Sequence, residues 1–121
     1  MLGTYVLSHG YYEAYYKKAL QVRTLIKKDF QDAFEKVDAL ITPVSPAVPF
    51  KFGEKTVDPL TMYLEDVFTV PMNLAGVPAL SMNCGWTERE NKRLPVGMQL
   101  VAPWFGEDIL FTLGKAFQAA L

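Results

Sequence analysis

Ala79-Leu80-Ser81-Met82-Asn83-Cys84 and Val96-Gly97-Met98-Gln99-Leu100-Val101-Ala102 are the two apolar runs whose reading decides the fold. Each has the length of a strand rather than a helix, and each is apolar along most of its course, as in strands covered on both faces. The polar segment between them, Thr87 to Arg93, is predicted to be a solvated loop. A third run, Asp38-Ala39-Leu40-Ile41-Thr42-Pro43, is stopped by proline and also reads as a buried strand.

Helical patterns flank these runs. Tyr15, Ala19, Val22, Ile26, Phe30, Ala33 and Val37 recur at steps of three and four, the spacing of one buried helix face. Lys17, Lys18, Arg23, Lys27, Lys28, Asp32 and Glu35 fall mostly opposite. Gly10 is the expected start, with Ser8 a weaker cap candidate. A helix of roughly 25 residues would be about 38 Å long, so a bend near Lys28–Asp29 is expected. That length suggests packing against more protein than this chain supplies. Pro43, Pro46 and Pro49 punctuate an extended loop, and Phe50 to Val57 reads as irregular surface chain around Gly53.

Asp58-Pro59 restarts helix, with aspartate at the cap position and proline at the first helical one. Pro71 predicts either two short helices or a kink near Thr69–Pro71, and Gly76 ends the stretch. The chain closes on Ile109, Leu113, Ala116 and Ala120 at helical steps, widened by Leu110 and Phe117. The order helix, strand, helix, strand, strand, helix argues for an α/β layer structure of about three strands flanked by helices.

Composition bounds the function. The chain has 121 residues, 50% hydrophobic, 13% aromatic and 21% charged, with net charge −1. That suits one folded unit, residues 1–121, and excludes intrinsic disorder. Cys84 is the only cysteine and His9 the only histidine, which excludes a disulfide framework and a cysteine-rich zinc site. Near-neutral charge removes a strong electrostatic case for nucleic acid or anionic membrane. No apolar run reaches membrane-spanning length, so a soluble intracellular chain is expected.

The residues alone offer no catalytic engine. Ser8, Ser45 and Ser81 lie outside any Gly-x-Ser-x-Gly turn. His9 reads as solvent-facing, and Cys84 as a small buried thiol rather than a reactive one. Pro43-Val44-Ser45-Pro46 fits a Pro-x-x-Pro ligand pattern, but a proline loop leaving a strand explains it better. The basic residues of the first helix read as a solvated face, because acids are interleaved with them. Asp66 stands out within Met62-Tyr63-Leu64-Glu65-Asp66-Val67-Phe68. A carboxylate in an apolar wall needs a cation or backbone donors; the alternatives are a helix cap for the second half of the segment, or simple exposure.

Taken together, the motifs resemble a known family. They are Gly10-Tyr11-Tyr12-x-x-Tyr15-Tyr16-x-Lys18-Ala19, Val22-Arg23, Asp29-Phe30 and Asp38-x-x-Ile41-Thr42-Pro43. To these add Asp58-Pro59-x-x-Met62-Tyr63-x-x-Asp66-x-x-Thr69-x-Pro71-x-Asn73-Leu74-Ala75-Gly76-x-Pro78 and Leu94-Pro95-Val96-Gly97-x-Gln99. In this order they resemble the C-terminal part of amidase signature enzymes, nearest to the branch of tRNA-dependent amidotransferase A subunits. The resemblance implies an α/β/α fold on a large mixed sheet. It also implies amide hydrolysis by a serine nucleophile, activated through a second serine and a lysine. In that branch, ammonia released from glutamine passes to the B subunit of the same enzyme. There Glu or Asp misacylated on tRNA(Gln) or tRNA(Asn) is activated with ATP and Mg and amidated, while a small C subunit wraps around the A subunit.

The departures matter as much. The family's lysine, its glycine-and-serine-rich nucleophile segment and the arginine that holds the glutamine carboxylate match no position here. No catalytic residue and no cofactor are therefore assigned to this chain, and it is expected to be inactive alone. Asn83 replaces a proline common in that branch, leaving an extra donor at the strand end. Asp66 falls on the acidic residue that binds the α-ammonium of glutamine. The resemblance implies a bacterial cytoplasmic location, with organellar relatives as the alternative. Two other readings compete: part of a general amidase acting on uncharged amides, and a non-catalytic interaction module. A portion of a larger sheet would leave open edges and apolar patches and tend to self-associate.

Overall fold

The computed structural model describes residues 15–54 and 59–121. The expected helix start at Gly10 and Ser8, His9, and the Asp58 cap lie outside them. The elements are α1 (Lys17–Phe34), β1 (Leu40–Pro43), α2 (Pro59–Leu64), α3 (Val70–Ala75), β2 (Ala79–Arg89), β3 (Lys92–Val101) and α4 (Glu107–Ala120). The α/β alternation holds, and the Pro71 stretch resolves into two short helices. Gly76 closes α3 at φ +74°, its N–H donating to the Met72 carbonyl at 2.8 Å. Such a left-handed backbone suits glycine.

The sheet has the order β1-β3-β2 and is antiparallel throughout, so the mixed character implied by the resemblance is not visible in this portion. Only the central strand is the doubly covered strand expected: Met98 to Val101 are all buried. Leu40 and Ala79 flank Val101, and Ile41 and Leu80 flank Leu100. Alternation therefore sends Val101 and Leu100 to opposite faces. On the front, Val101 joins Met72, Ala75 and Val77 under Ile26, Phe30 and Phe34 of α1. On the back, Leu100 and Met98 join Leu110 with Ile109 and Phe117 of α4. Helices thus lie on both faces of the sheet. Fully burying Leu100 or Val101 contributes about 1.5–3 kcal/mol each.

Four expectations need correcting. First, β1 is an edge strand with alternating burial, and Ile41 is 69% exposed because α4 sits over β2 and β3. Second, Thr87–Arg93 is not a loop. β2 and β3 pair as far as Arg89–Lys92, and Glu90 and Asn91 turn the chain with φ of 52° and 59°. Two successive positive-φ residues match the twist of a tight hairpin. Third, α1 is unbroken at Lys28–Asp29 and stops short of Val37; its 18 residues span about 27 Å, so no bend is called for. Fourth, α4 buries Leu110 and Gly114, with Ile109 and Phe117 half-buried, while Leu113 and Ala116 are exposed. The buried stripe is rotated by one residue from the expected one.

Two side chains from outside α3 finish it, one from α1 and one from the segment between β3 and α4. The last carbonyls of a helix have no partner within it. Arg23 Nε donates to the Leu74 carbonyl at 2.8 Å and Trp104 Nε1 to that of Ala75 at 3.3 Å. Trp104 in turn stacks edge-on against Phe34 and lies 5.2 Å below Lys27 Nζ. Parts of α1 and α2 are exposed: Leu25 of α1 and Tyr63 of α2 are each more than 60% exposed. Of the predicted stripe, Ile26, Phe30 and Ala33 are half-buried, while Ala19, Val22 and Val37 are exposed.

Candidate functional site

In front of the sheet, past the Val101 core, lies a cleft of about 760 Å³. Its floor includes Ser81 and Asn83 of β2 and Gly97 of β3; one wall is the proline loop after β1, the other the turn between α2 and α3. Gly97 lets that loop come close. A Cβ there would stand 3.2 Å from Val44 Cγ2, and the Val44 N–H donates to the Gly97 carbonyl at 3.4 Å. The Pro95-Val96-Gly97-x-Gln99 motif is thus a strand segment that supports the cleft.

Gln99 is the buried polar node behind it, 3% exposed. Its Nε2 donates to Thr42 Oγ1 at 2.9 Å, to the Phe68 carbonyl at 2.5 Å and, longer, to the Pro43 carbonyl at 3.4 Å. Thr42 Oγ1 passes its own proton to the Pro43 carbonyl at 3.1 Å. Two of the three acceptors are carbonyls, which can only accept, so the amide nitrogen rather than its oxygen must face them. Buried polar groups need such partners.

Asp66 lines the cleft from the α2–α3 turn. Its main-chain carbonyl accepts the N–H groups of Thr69 and Val70, both at 3.0 Å. Its carboxylate makes no hydrogen bond or ion pair among the described residues, and α3 has no side-chain cap. The capping alternative therefore fails: the backbone of Asp66 builds the turn, and the side chain is exposed at the cleft. Beside it, Glu65 also lines the cleft and accepts a hydrogen bond from Ser45 Oγ at 2.6 Å. No lysine, arginine or histidine is among the described lining residues. A lining that carries acids and no base suits a positively charged ligand group.

Among the other candidates, Ser45 and Ser81 both reach the cleft, although the sequence alone assigns them no role. Cys84 is half-buried against the α4 cluster, its thiol donating to the Val96 carbonyl at 3.4 Å, as suits a structural thiol. It bulges from β2; on either side Gly85 takes φ +149° and its N–H donates to Asn83 Oδ1 at 2.9 Å. The strand continues past Asn83 instead of ending there. Pro43-Val44-Ser45-Pro46 is cleft wall, with Val44 and Ser45 half-buried. Among the described residues there is no group of His, Cys, Asp or Glu suited to a metal ion, and no helix long and apolar enough to cross a membrane.

The rim of the cleft near Phe50 is clamped to the hairpin tip. Lys51 pairs with Glu90, Arg89 with Glu54, and the Lys51 N–H donates to Glu54 Oε2 at 2.7 Å. The Arg89 hydrogen bond holds the Glu54 carboxyl below the usual range, and the Lys51 hydrogen bond does so for Glu90. Both values are depressed, so the clamp is fully present above the ordinary carboxyl value of 4.5 and is lost as pH falls through the lowered ones. We expect hydrogen exchange at the Lys51 amide to be unchanged between neutral pH and about pH 5, once corrected for intrinsic rates, and to accelerate in more acidic buffer. Added salt should accelerate it too. Protection that persists unaltered in acid would show the ion pairs to be incidental.

The layered α/β arrangement and the cleft motifs define a class, and the chain belongs to the amidase family: the family model described as Amidase matches residues 1–111. Within that family it is 59% identical over 118 residues, 98% of its length, to the glutamyl-tRNA(Gln) amidotransferase A subunit of Thermodesulfovibrio yellowstonii. It is 58% identical over 120 residues, 99% of its length, to that of Picosynechococcus sp.. The crystal structure of the corresponding A subunit from Thermotoga maritima superposes with a TM-score of 0.74 over 92% of the chain at 46% identity. In each case the chain spans 24% of the relative's length.

Proposed function

We propose that this segment forms the amino-acid-recognising wall of a glutamine-using amidotransferase A subunit. Asp66 pairs with the α-ammonium of glutamine, while serine and lysine groups from elsewhere in such an enzyme cleave the side-chain amide to glutamate and ammonia. The ammonia then serves amidation of Glu-tRNA(Gln) or Asp-tRNA(Asn) on a partner B subunit that uses ATP and Mg, with a C subunit to complete a bacterial cytoplasmic complex. The supporting observation is the unpaired Asp66 carboxylate in a cleft whose described lining holds no basic side chain. A general amidase for uncharged amides would have no use for a lone carboxylate there, because desolvating it without a cation is costly. The relatives' names point the same way.

The test uses glutamine and 4-carbamoylbutanoate, the same amide without the α-ammonium. A protein of the relatives' full length that contains this segment should prefer glutamine in kcat/KM by at least about tenfold. The 121-residue chain alone should turn over neither. Equal use of the two amides by the full-length protein, or genuine turnover by the short chain, would overturn the reading.

A further inference from the structure

We infer that Gln99 is a positioning residue that sets the distance between the two walls of the cleft, and so the place of the Asp66 carboxylate. The inference rests on the reading of Asp66 given above. Among the described strands, Gln99 stands on the one that is paired on both sides, so its backbone is held by hydrogen bonds from two neighbours. A single amide reaches both walls: the Phe68 carbonyl at 2.5 Å, two residues beyond Asp66, and Thr42 Oγ1 and the Pro43 carbonyl at the root of the proline loop. These bonds join positions up to 57 residues apart in the chain. Nothing else described bonds Phe68 to the sheet, whereas the turn's own bonds, from Thr69 and Val70 to the Asp66 carbonyl, are local. They shape the turn but do not place it. Without the amide, the Ser45–Glu65 hydrogen bond still links the two walls and the Val44 N–H still holds the loop to Gly97, but Phe68 loses its bond to the sheet. The Asp66 turn can then shift against β3, and displacement by about an ångström is enough to spoil a charge contact made with a small substrate.

Gln99→Met, in a protein of the relatives' full length, keeps the side-chain length and removes both donors. KM for glutamine should rise on the order of tenfold. kcat, and kcat/KM for 4-carbamoylbutanoate, should change by less than about twofold. In an Asp66→Ala background the same substitution should leave the glutamine KM where it already is, since no carboxylate remains to misplace. Equal losses on both amides, or a full additional loss on top of Asp66→Ala, would reduce Gln99 to a structural role and end the inference. If Gln99→Met does not fold, Gln99→Asn, which retains the amide but withdraws it by one methylene, should give the same glutamine-specific rise; an unchanged KM there also refutes it. Asp66→Ala measured alone decides the underlying reading separately.

Discussion

On the function proposed above, Asp66→Ala in a protein of the relatives' full length is expected to lower kcat/KM for glutamine by about a hundredfold, ~2.7 kcal/mol, the order found when one partner of a close charge pair is truncated. Use of 4-carbamoylbutanoate should hardly change, because it has no cation to lose. Melting should also hardly change. The Asp66 side chain makes no bond among the described residues, and the turn is built by its main-chain carbonyl, which alanine retains. Surface changes of this kind stay within about 0.5 kcal/mol. Asp66→Asn should fall between, since it keeps an acceptor oxygen but not the charge. The neighbouring Glu65 is engaged by Ser45 and cannot simply take over. The outcome against this account is a parallel fall for both amides, or a large loss of stability, either of which would make Asp66 part of the scaffold.

The sequence shows what depends on local chemistry and hides what depends on distant contacts. The two short helices follow from Pro71, and the end of α3 from Gly76, each a backbone restriction visible at one position. Asp66 is noticeable because a carboxylate breaks an apolar segment. Edge and centre cannot be told apart for β1, since a four-residue apolar strand reads the same with one face covered or two; the exposure of Ile41 decides it. The hairpin is hidden because Glu90 and Asn91 adopt positive φ without the glycine that usually signals such a turn. Gln99 is visible only as a motif letter, since its partners Thr42 and Phe68 lie 57 and 31 residues away. Glu65 and Ser45 are likewise brought together only by folding. The stripe of α4 is misread by one residue for a related reason: its centre, Gly114, has no side chain for a hydrophobic pattern to register.

That shifted stripe yields the largest expected effect on stability. Gly114 is buried on the face of α4 that meets β2, where an added Cβ would stand 2.9 Å from Leu80 Cδ2 and 4.0 Å from Met82 Sδ. The absent side chain is what lets helix and strand approach. Gly114→Leu should therefore force the layers apart at a cost of about 3 kcal/mol, the upper part of the overpacking range. Thermal unfolding should show Tm lower by roughly 10 °C. Gly114→Ala is a milder case. Alanine gains up to about 1 kcal/mol in helix propensity, and the group in its way is a terminal methyl that can rotate aside, so the net change should stay within about 1 kcal/mol. Leu113→Ala supplies the contrast, because Leu113 is 39% exposed and should cost less than Gly114→Leu. Had the stripe run through Leu113, that order would reverse. Leu80→Ala combined with Gly114→Leu should cost less than the two single changes added together, since the smaller side chain vacates the space the leucine needs. Additive losses would mean that the added side chain escapes without pressing on Leu80, and that the close approach at Gly114 does not govern how α4 sits on the sheet.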